Sequence, residues 1–362
     1  MLHAGLDLSR KRLDVHLVDE AGTTVEVGAV LPDRDGLRSL VGRTARYHQP
    51  VRAVIESMTG ARFVHDQLAL LGWQVEIADA QRAKGLAPLA CKTDKIDAAV
   101  LAQLSCRDLV PAVWLPTPQV RAERERVRWR LHLVHHRVGL KNRVRAILIT
   151  FGQQRPMADL FGASGRRLLD QLDLPEPWRG TLLASVRLID ELDREIDACD
   201  AALRRLGAEH PAVPLLMTAP GIGWVLASTI AGEIGDIRRF PSPKSLRGYT
   251  GLCPRVYQSG TKDRRGALAK NGPNYLRWAL IEAAAHAAHH PADSAHYEAT
   301  KKRLGGSAAP SSPASRWRAS SPKPSGACSP AIRPFPRQAP QRVWSPDDPG
   351  LNWATGTGSH AT

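Results

Sequence analysis

Over the first hundred residues, short apolar runs and amphipathic runs alternate in one order, which constrains the fold more than any other feature of the chain. His3-Ala4-Gly5-Leu6-Asp7-Leu8-Ser9 reads as a short buried strand ending in an acid, and Leu13 to Val18 alternates as a second strand. Ala21-Gly22 turns the chain, and Thr23 to Val30 supplies a third strand. Asp33 is placed to cap a helix carrying Leu37, Leu40, Val41 and Ala45. Val51 to Glu56 is a fourth strand ending in an acid, Arg62 to Leu71 a helix, and Trp73 to Ala78 a fifth strand. A last helix opens at Lys92-Thr93-Asp94-Lys95-Ile96-Asp97. The predicted order is βββαβαβα.

That order is the ribonuclease-H-like arrangement, and four acids fall where a metal site in it needs them. Asp7 lies on the first strand, Glu56 at the end of the fourth, and Asp94 and Asp97 three residues apart on one face of the last helix. Carboxylates crowded together repel unless a cation sits between them, and hard divalent cations prefer oxygen donors. Four converging carboxylates hold two Mg²⁺ or Mn²⁺ ions about 3.5–4 Å apart, the geometry that serves phosphodiester cleavage. Solvated strand ends and a helix start are the plainer alternative for the same residues.

The chain has 362 residues, room for more than one domain, and 50 Lys and Arg against 35 Asp and Glu, a formal net charge of +15. Such a balance suits a polyanionic partner, most simply nucleic acid. The five cysteines are scattered without a CxxC pair, which argues for a reducing cytoplasm and against structural zinc or disulfides. No charged-then-apolar leader follows Met1 and no apolar run reaches spanning length, so no membrane association is expected.

A Pro-bounded connector, Pro111 to Pro118, closes the first domain, expected over residues 1–110. Gln119 to Phe151 reads as a basic helix with an apolar stripe of Val127, Leu131, Val134, Val138, Val144 and Leu148. Its cations, among them Arg124, Arg128, Lys141, Arg143 and Arg145, suit phosphate contacts, the alternative being a solvated helix. Thr181 to Leu206 carries Ile189, Leu192, Ile196, Cys199, Leu203 and Leu206 at coiled-coil spacing, completing a helical and coiled-coil region over 111–210. That seam serves an intramolecular hairpin or a dimer.

Leu215 to Ala227 reads as helix, glycine turn and helix, with Gly221 and Gly223 free to let a phosphate approach the backbone, as in a helix-hairpin-helix element, or simply to turn. Cys253 to Lys262 is a Gly-containing loop with Ser259 at its end and Lys262, Arg264 and Arg265 close by. A serine among cations can attack phosphate, although a Ser-Gly pair is also an ordinary turn. These elements define a mainly α third region over 211–303. Residues 304–362 are rich in Ser, Pro and Gly and contain no Glu, which reads as a disordered basic tail.

Three blocks carry a resemblance to a known family: Gly5-Leu6-Asp7-Leu8-Ser9-Arg10-Lys11, Ile55-Glu56-Ser57-Met58-Thr59-Gly60 and Lys92-Thr93-Asp94-Lys95-Ile96-Asp97-Ala98. They resemble the DEDD insertion-sequence transposases of the IS110 family, and the likeness extends to about residue 304, including Leu140-Lys141-Asn142-Arg143. The resemblance implies a RuvC-like domain whose metal ligands are Asp7, Glu56, Asp94 and Asp97. It implies a second catalytic domain whose nucleophilic serine matches Ser259 best, with Ser242 and Ser245 as alternatives. DNA as substrate, a structured guide RNA and assembly as a homo-oligomer (dimer or tetramer) follow from it, and oligomerisation favours the dimer reading of the coiled-coil stripe. The family continues helical past residue 304, so the tail is expected to be frameshifted. A junction-resolving nuclease with a structural Ser259, or a nucleic-acid-binding scaffold, are the rival expectations.

Overall fold

The computed structural model describes residues 1–86, 94–153, 158–260 and 262–303, the side chains of residues 94–96, 262, 263, 265, 292 and 303 excepted. The expectations for the tail beyond 303 lie outside the described residues. Two compact units are present, Met1–Pro116 and the chain from Thr117 onward.

In the first unit, strands β1 (Leu2–Leu8), β2 (Leu13–Val18) and β3 (Thr24–Val30) are followed by helix α1 (Arg34–Thr44). Asp33 caps α1 as expected, accepting from the Gly36 N–H at 2.7 Å. Then come β4 (Val51–Glu56), α2 (Ala61–Leu70), β5 (Gln74–Ala78), α3 (Ala80–Leu86) and α4 (Asp94–Cys106). The sheet order is β3-β2-β1-β4-β5, with β1–β2 and β2–β3 antiparallel and β1–β4 and β4–β5 parallel. This is the ribonuclease-H-like order, with the short helix α3 as an addition.

Strand alternation sorts side chains onto two faces. Leu2, Ala4, Leu6 and Leu8 of β1 join Ala53 and Ile55 of β4 in the main core, which α1 and α2 cover with Leu37, Leu40, Val64 and Leu68. The opposite face is covered by α4, whose Leu101 packs with Val54 and Ala78. The unit runs past the expected boundary at 110 because Ala112 bridges to Ala78 and Leu115 packs on the main core.

Two histidines in this sheet set an acid limit. Burial pushes the pKa of His3 below 6.5, aided by the nearby Arg52 charge and the amino terminus, and its Nδ1 lies 2.9 Å from Ser105 Oγ. Burial also lowers the pKa of His16. Below 6.5 the unfolded chain takes up protons that the folded chain refuses, so stability is present above that pH and falls as pH drops beneath it. Thermal melts at about pH 7.5 and about pH 5 should show this loss, and His3→Gln with His16→Gln should flatten it. An unchanged pH dependence in the double variant would assign the effect to other groups.

The second unit contains α5 (Pro118–Thr150), α6 (Ala163–Gln171), α7 (Trp178–Ala208), α8 (Val213–Met217), α9 (Trp224–Ile234) and α10 (Pro243–Thr250). A hairpin of β6 (Pro254–Ser259) and β7 (Lys262–Leu268) follows, then α11 (Asn274–Ala287) and α12 (Pro291–Arg303). The hairpin is a strand pair where a loop was expected.

Helices α5 and α7 pack antiparallel. Arg130 pairs with Asp200, Arg137 pairs with Asp193 at 2.6 Å, and Val144 and Leu148 share a core with Leu182. The stripe of α7 therefore closes on α5 within the chain, which corrects its assignment to a dimer seam. The seam runs through buried Leu182, Ser185, Ile189, Ile196 and Leu203, while Leu206 is exposed. On α5 the buried residues are Val127, Leu133, Val144, Ile147 and Leu148, and the expected Val138 is exposed. The ion pairs occupy the middle of the contact, so periodicity alone overstated its apolar length.

Candidate active site and nucleic-acid surface

Asp7 and Glu56 sit side by side. Leu6 pairs in register with Ile55, so the next residue on each parallel strand reaches the same level and the same face. Leu6 and Ile55 point into the core under α1 and α2, which leaves Asp7 and Glu56 on the face that α4 covers. Both carboxylates are half-buried.

Helix α4 runs against the direction of β1. Ser105 meets His3, and the backbone of Ala98 and Ala102 lies directly over Gly5. A Cβ on Gly5 would stand 1.8 Å from the Ala98 carbonyl oxygen and 2.5 Å from the Ala102 nitrogen, so only glycine lets the helix settle here. Continuing that progression carries the start of α4 to the end of β1 that holds Asp7. Asp94 is the first residue of α4 and Asp97 lies one turn before Leu101, half-buried. The Asp94 side chain lies outside what is described.

A further acid, which the sequence did not single out, extends the row. Asp14 pairs directly with Asp7 across β1 and β2 and is 4 % exposed. Like charges opposed in a sheet repel; here Arg12 neutralises Asp14, with its Nε 3.0 Å from both carboxylate oxygens and one terminal nitrogen 2.8 Å from Oδ1. On the other side the Lys84 ammonium rests 3.8 Å from Glu56 Oε1. The donors are all oxygens, the set that hard divalent cations select, and a cation already attends Glu56. Among the described residues, no three His, Cys, Asp or Glu side chains converge as a metal cage.

In the second unit, Ser259 ends β6 opposite Lys262 and is exposed at the hairpin tip, followed by Gly260 at φ +57°. Tyr257 and Val256 of the same strand are 62 % and 55 % exposed, and Arg264 of β7 is also exposed. A hairpin so open is marginal by itself and gains from a partner. The side chains of Lys262 and Arg265 lie outside the described set. Ser242 and Ser245 have another use: they form the reciprocal cap of α10, Ser242 Oγ accepting from the Ser245 N–H and Ser245 Oγ from the Ser242 N–H.

The structure corrects two of the expected phosphate contacts. Arg128 donates in bidentate fashion to Glu233, at 2.7 and 2.9 Å, and Glu233 is fully buried. Arg124 donates to the carbonyls of Gly232 and Glu233 at 2.8 and 2.9 Å, capping the end of α9. Both arginines are spent on packing α5 against α9. Sequence reasoning missed Glu233, a lone acid in an apolar helix, which was the available signal. Arg143 and Arg145 are exposed, and the Lys141 and Arg145 head groups lie 5.0 and 5.4 Å from the Phe161 ring centre.

Gly221 has φ +80°, and a Cβ there would meet the Ala283 oxygen of α11 at 2.6 Å, so a close approach to that helix by itself requires the glycine. Gly223 precedes α9 with open space around it and, with Arg204 and His286, lines a cleft of about 480 Å³.

Residues 4–152 match the family model for DEDD transposases of the IS110 type, described as a transposase, and residues 213–298 match the model described as transposase IS116/IS110/IS902 family. The chain is 28% identical over 286 residues to a transposase for insertion sequence element IS1328 of Yersinia enterocolitica, covering 77% of this chain and 82% of that one. It is 29% identical over 289 residues to a probable family 20 transposase of Pseudomonas aeruginosa, with the same coverage. A transposase for insertion sequence element IS1111A of Coxiella burnetii is 23% identical over 241 residues, 64% of each chain. Among the described residues no helix is long and apolar enough to cross a membrane.

Proposed function

We infer that the chain is an IS110-type insertion-sequence transposase, since residues 4–152 and 213–298 match the two transposase models, and from that premise we propose that Asp7, Glu56, Asp94 and Asp97 form the cleavage centre and Ser259 the nucleophile. One observation carries this reading: neighbouring parallel strands bring Asp7 and Glu56 to the same level of one sheet face, beneath the helix that begins with Asp94 and Asp97. These four carboxylates would hold Mg²⁺ or Mn²⁺, supplying Lewis-acid polarisation of a phosphate. Arg12 keeps Asp14 neutralised, so the row does not accumulate a further free charge beside Asp7. A RuvC-like domain, guidance by a structured RNA and homo-oligomeric assembly belong to the same reading.

Ser259 is favoured over Ser242 and Ser245 because those two hydroxyls cap a helix, while Ser259 stands exposed at the hairpin tip. Its Oγ would form an ester bond to phosphorus while the bond to one bridging DNA oxygen breaks. The serine proton departs and that oxygen leaves as a hydroxyl after taking up a proton. A hydroxyl of a new strand then reverses the exchange, so no phosphodiester bond is lost and no outside energy source is needed.

Labelled element-end DNA incubated with protein, the element's RNA and Mg²⁺, and run on a denaturing gel, tests both parts. Asp7→Asn should lower cleavage by about 10²-fold or more with the melting temperature retained. Ser259→Ala should keep DNA binding and lose a shifted, protease-sensitive band. Persistence of that band would move the nucleophile to Ser242 or Ser245. Free ends without it in the unmutated protein would favour the junction-resolving nuclease.

A further inference from the structure

Helix α5 carries a row of exposed rings that the cleavage chemistry does not use. Trp129 stacks on His132 with ring centres 5.6 Å apart and planes 25° apart, and His132 meets the edge of His136 at 4.3 Å. Trp129 is 47 % exposed, and both histidines are exposed. The spacing continues along the same stripe to Gly139 and Arg143. A Cβ on Gly139 would touch nothing within 4 Å, and a depression of about 350 Å³ lined by His136, Gly139, Leu140 and Asn142 lies there. Arg143 is exposed at the far end, and Glu125 borders the near end beside Arg126. From Trp129 to Arg143 the stripe is roughly 21 Å long at the helical rise.

A single exposed ring needs no explanation, but three adjoining exposed rings on one helix face form a surface open to stacking. The ion pairs to Asp193 and Asp200 already hold α5 on α7, so the ring row is not needed for that packing. Exposed rings in line, open space for one more flat group and a cation at the end match the requirements of an unpaired strand. Bases stack on rings regardless of sequence, and a cation takes the phosphate. A duplex hides its base faces and offers such a surface phosphates, sugars and groove edges, none of which stacks on a ring.

We propose that Trp129, His132, His136 and Arg143 of α5 form a stacking platform for single-stranded nucleic acid. This rests on nucleic acid being the substrate and specifies the form of it that α5 holds. The strand lies along the helix, one base on the Trp129 face and another in the gap over Gly139, with Arg143 at the following phosphate.

The test is binding of labelled homopolymer DNA and RNA strands, and of a duplex of equal length, to the full chain without divalent ions, so a failure of cleavage leaves it untouched. Trp129→Ala with His132→Ala should weaken single-strand binding about tenfold or more and duplex binding little. Trp129→Phe should restore part of the loss. The salt slope should stay constant in the ring variants and fall by about one in Arg143→Gln. Equal losses on single strand and duplex, or no loss, would overturn the platform. So would a changed molar mass in light scattering with unchanged binding, which would make the face an interface between copies. Circular dichroism confirms that the variants stay folded.

Discussion

Arg128→Ala should destabilise the second unit by about 3–5 kcal/mol, because it leaves the buried carboxylate of Glu233 without its partner. Glu233 is fully enclosed at the end of α9, and the remaining cation, Arg124, stands 4.0 Å from its carboxylate, too far to replace the two guanidinium donors. Arg124 would still hold the adjacent carbonyls, so α9 should stay helical while its contact with α5 loosens. Chemical denaturation of single and paired variants reads the effect. Glu233→Gln should cost less than Arg128→Ala, since a neutral amide tolerates burial better. Arg128→Met with Glu233→Met should recover much of the loss, as apolar replacements of buried pairs often do. If Arg128→Ala leaves stability unchanged but lowers the salt slope of DNA binding, the arginine is a phosphate contact after all.

Gly5→Ala should cost the first unit about 3 kcal/mol or more, since the added methyl meets backbone atoms of α4 that cannot rotate away. For a domain of this size that lowers the melting temperature by about 10 °C or more. The same displacement would lift the start of α4 from the end of β1, so cleavage should fall further than stability predicts. Gly42, in α1 with nothing within 4 Å of a built Cβ, is the control. Gly42→Ala should be neutral or stabilising by a fraction of a kcal/mol through helix propensity. A Gly5→Ala protein that melts normally would mean the helix sits elsewhere over the sheet.

Much of the first unit is legible in the residues because its cues are local. Periods of two and 3.6, a glycine turn and the Asp33 cap are set by neighbours along the chain, and they give strands β1 to β5 and their order. The acids at strand ends could be named for the same reason. Register is a different matter: that Leu6 pairs with Ile55, and that Asp14 stands opposite Asp7, depends on contacts distant in sequence.

The second unit shows where local cues run out. Arg124, Arg128, Arg143 and Arg145 are alike in a basic helix, and only the position of Glu233 on a helix a hundred residues later separates packing cations from exposed ones. The stripe of α7 carries the spacing of a seam but not the identity of its partner, which α5 supplies within the chain. Composition and spacing determined which groups this protein has and where its helices and strands begin. Which charges meet water and which glycines meet a helix was decided only by tertiary packing, because burial converts a cation from a ligand for phosphate into a partner for a buried acid.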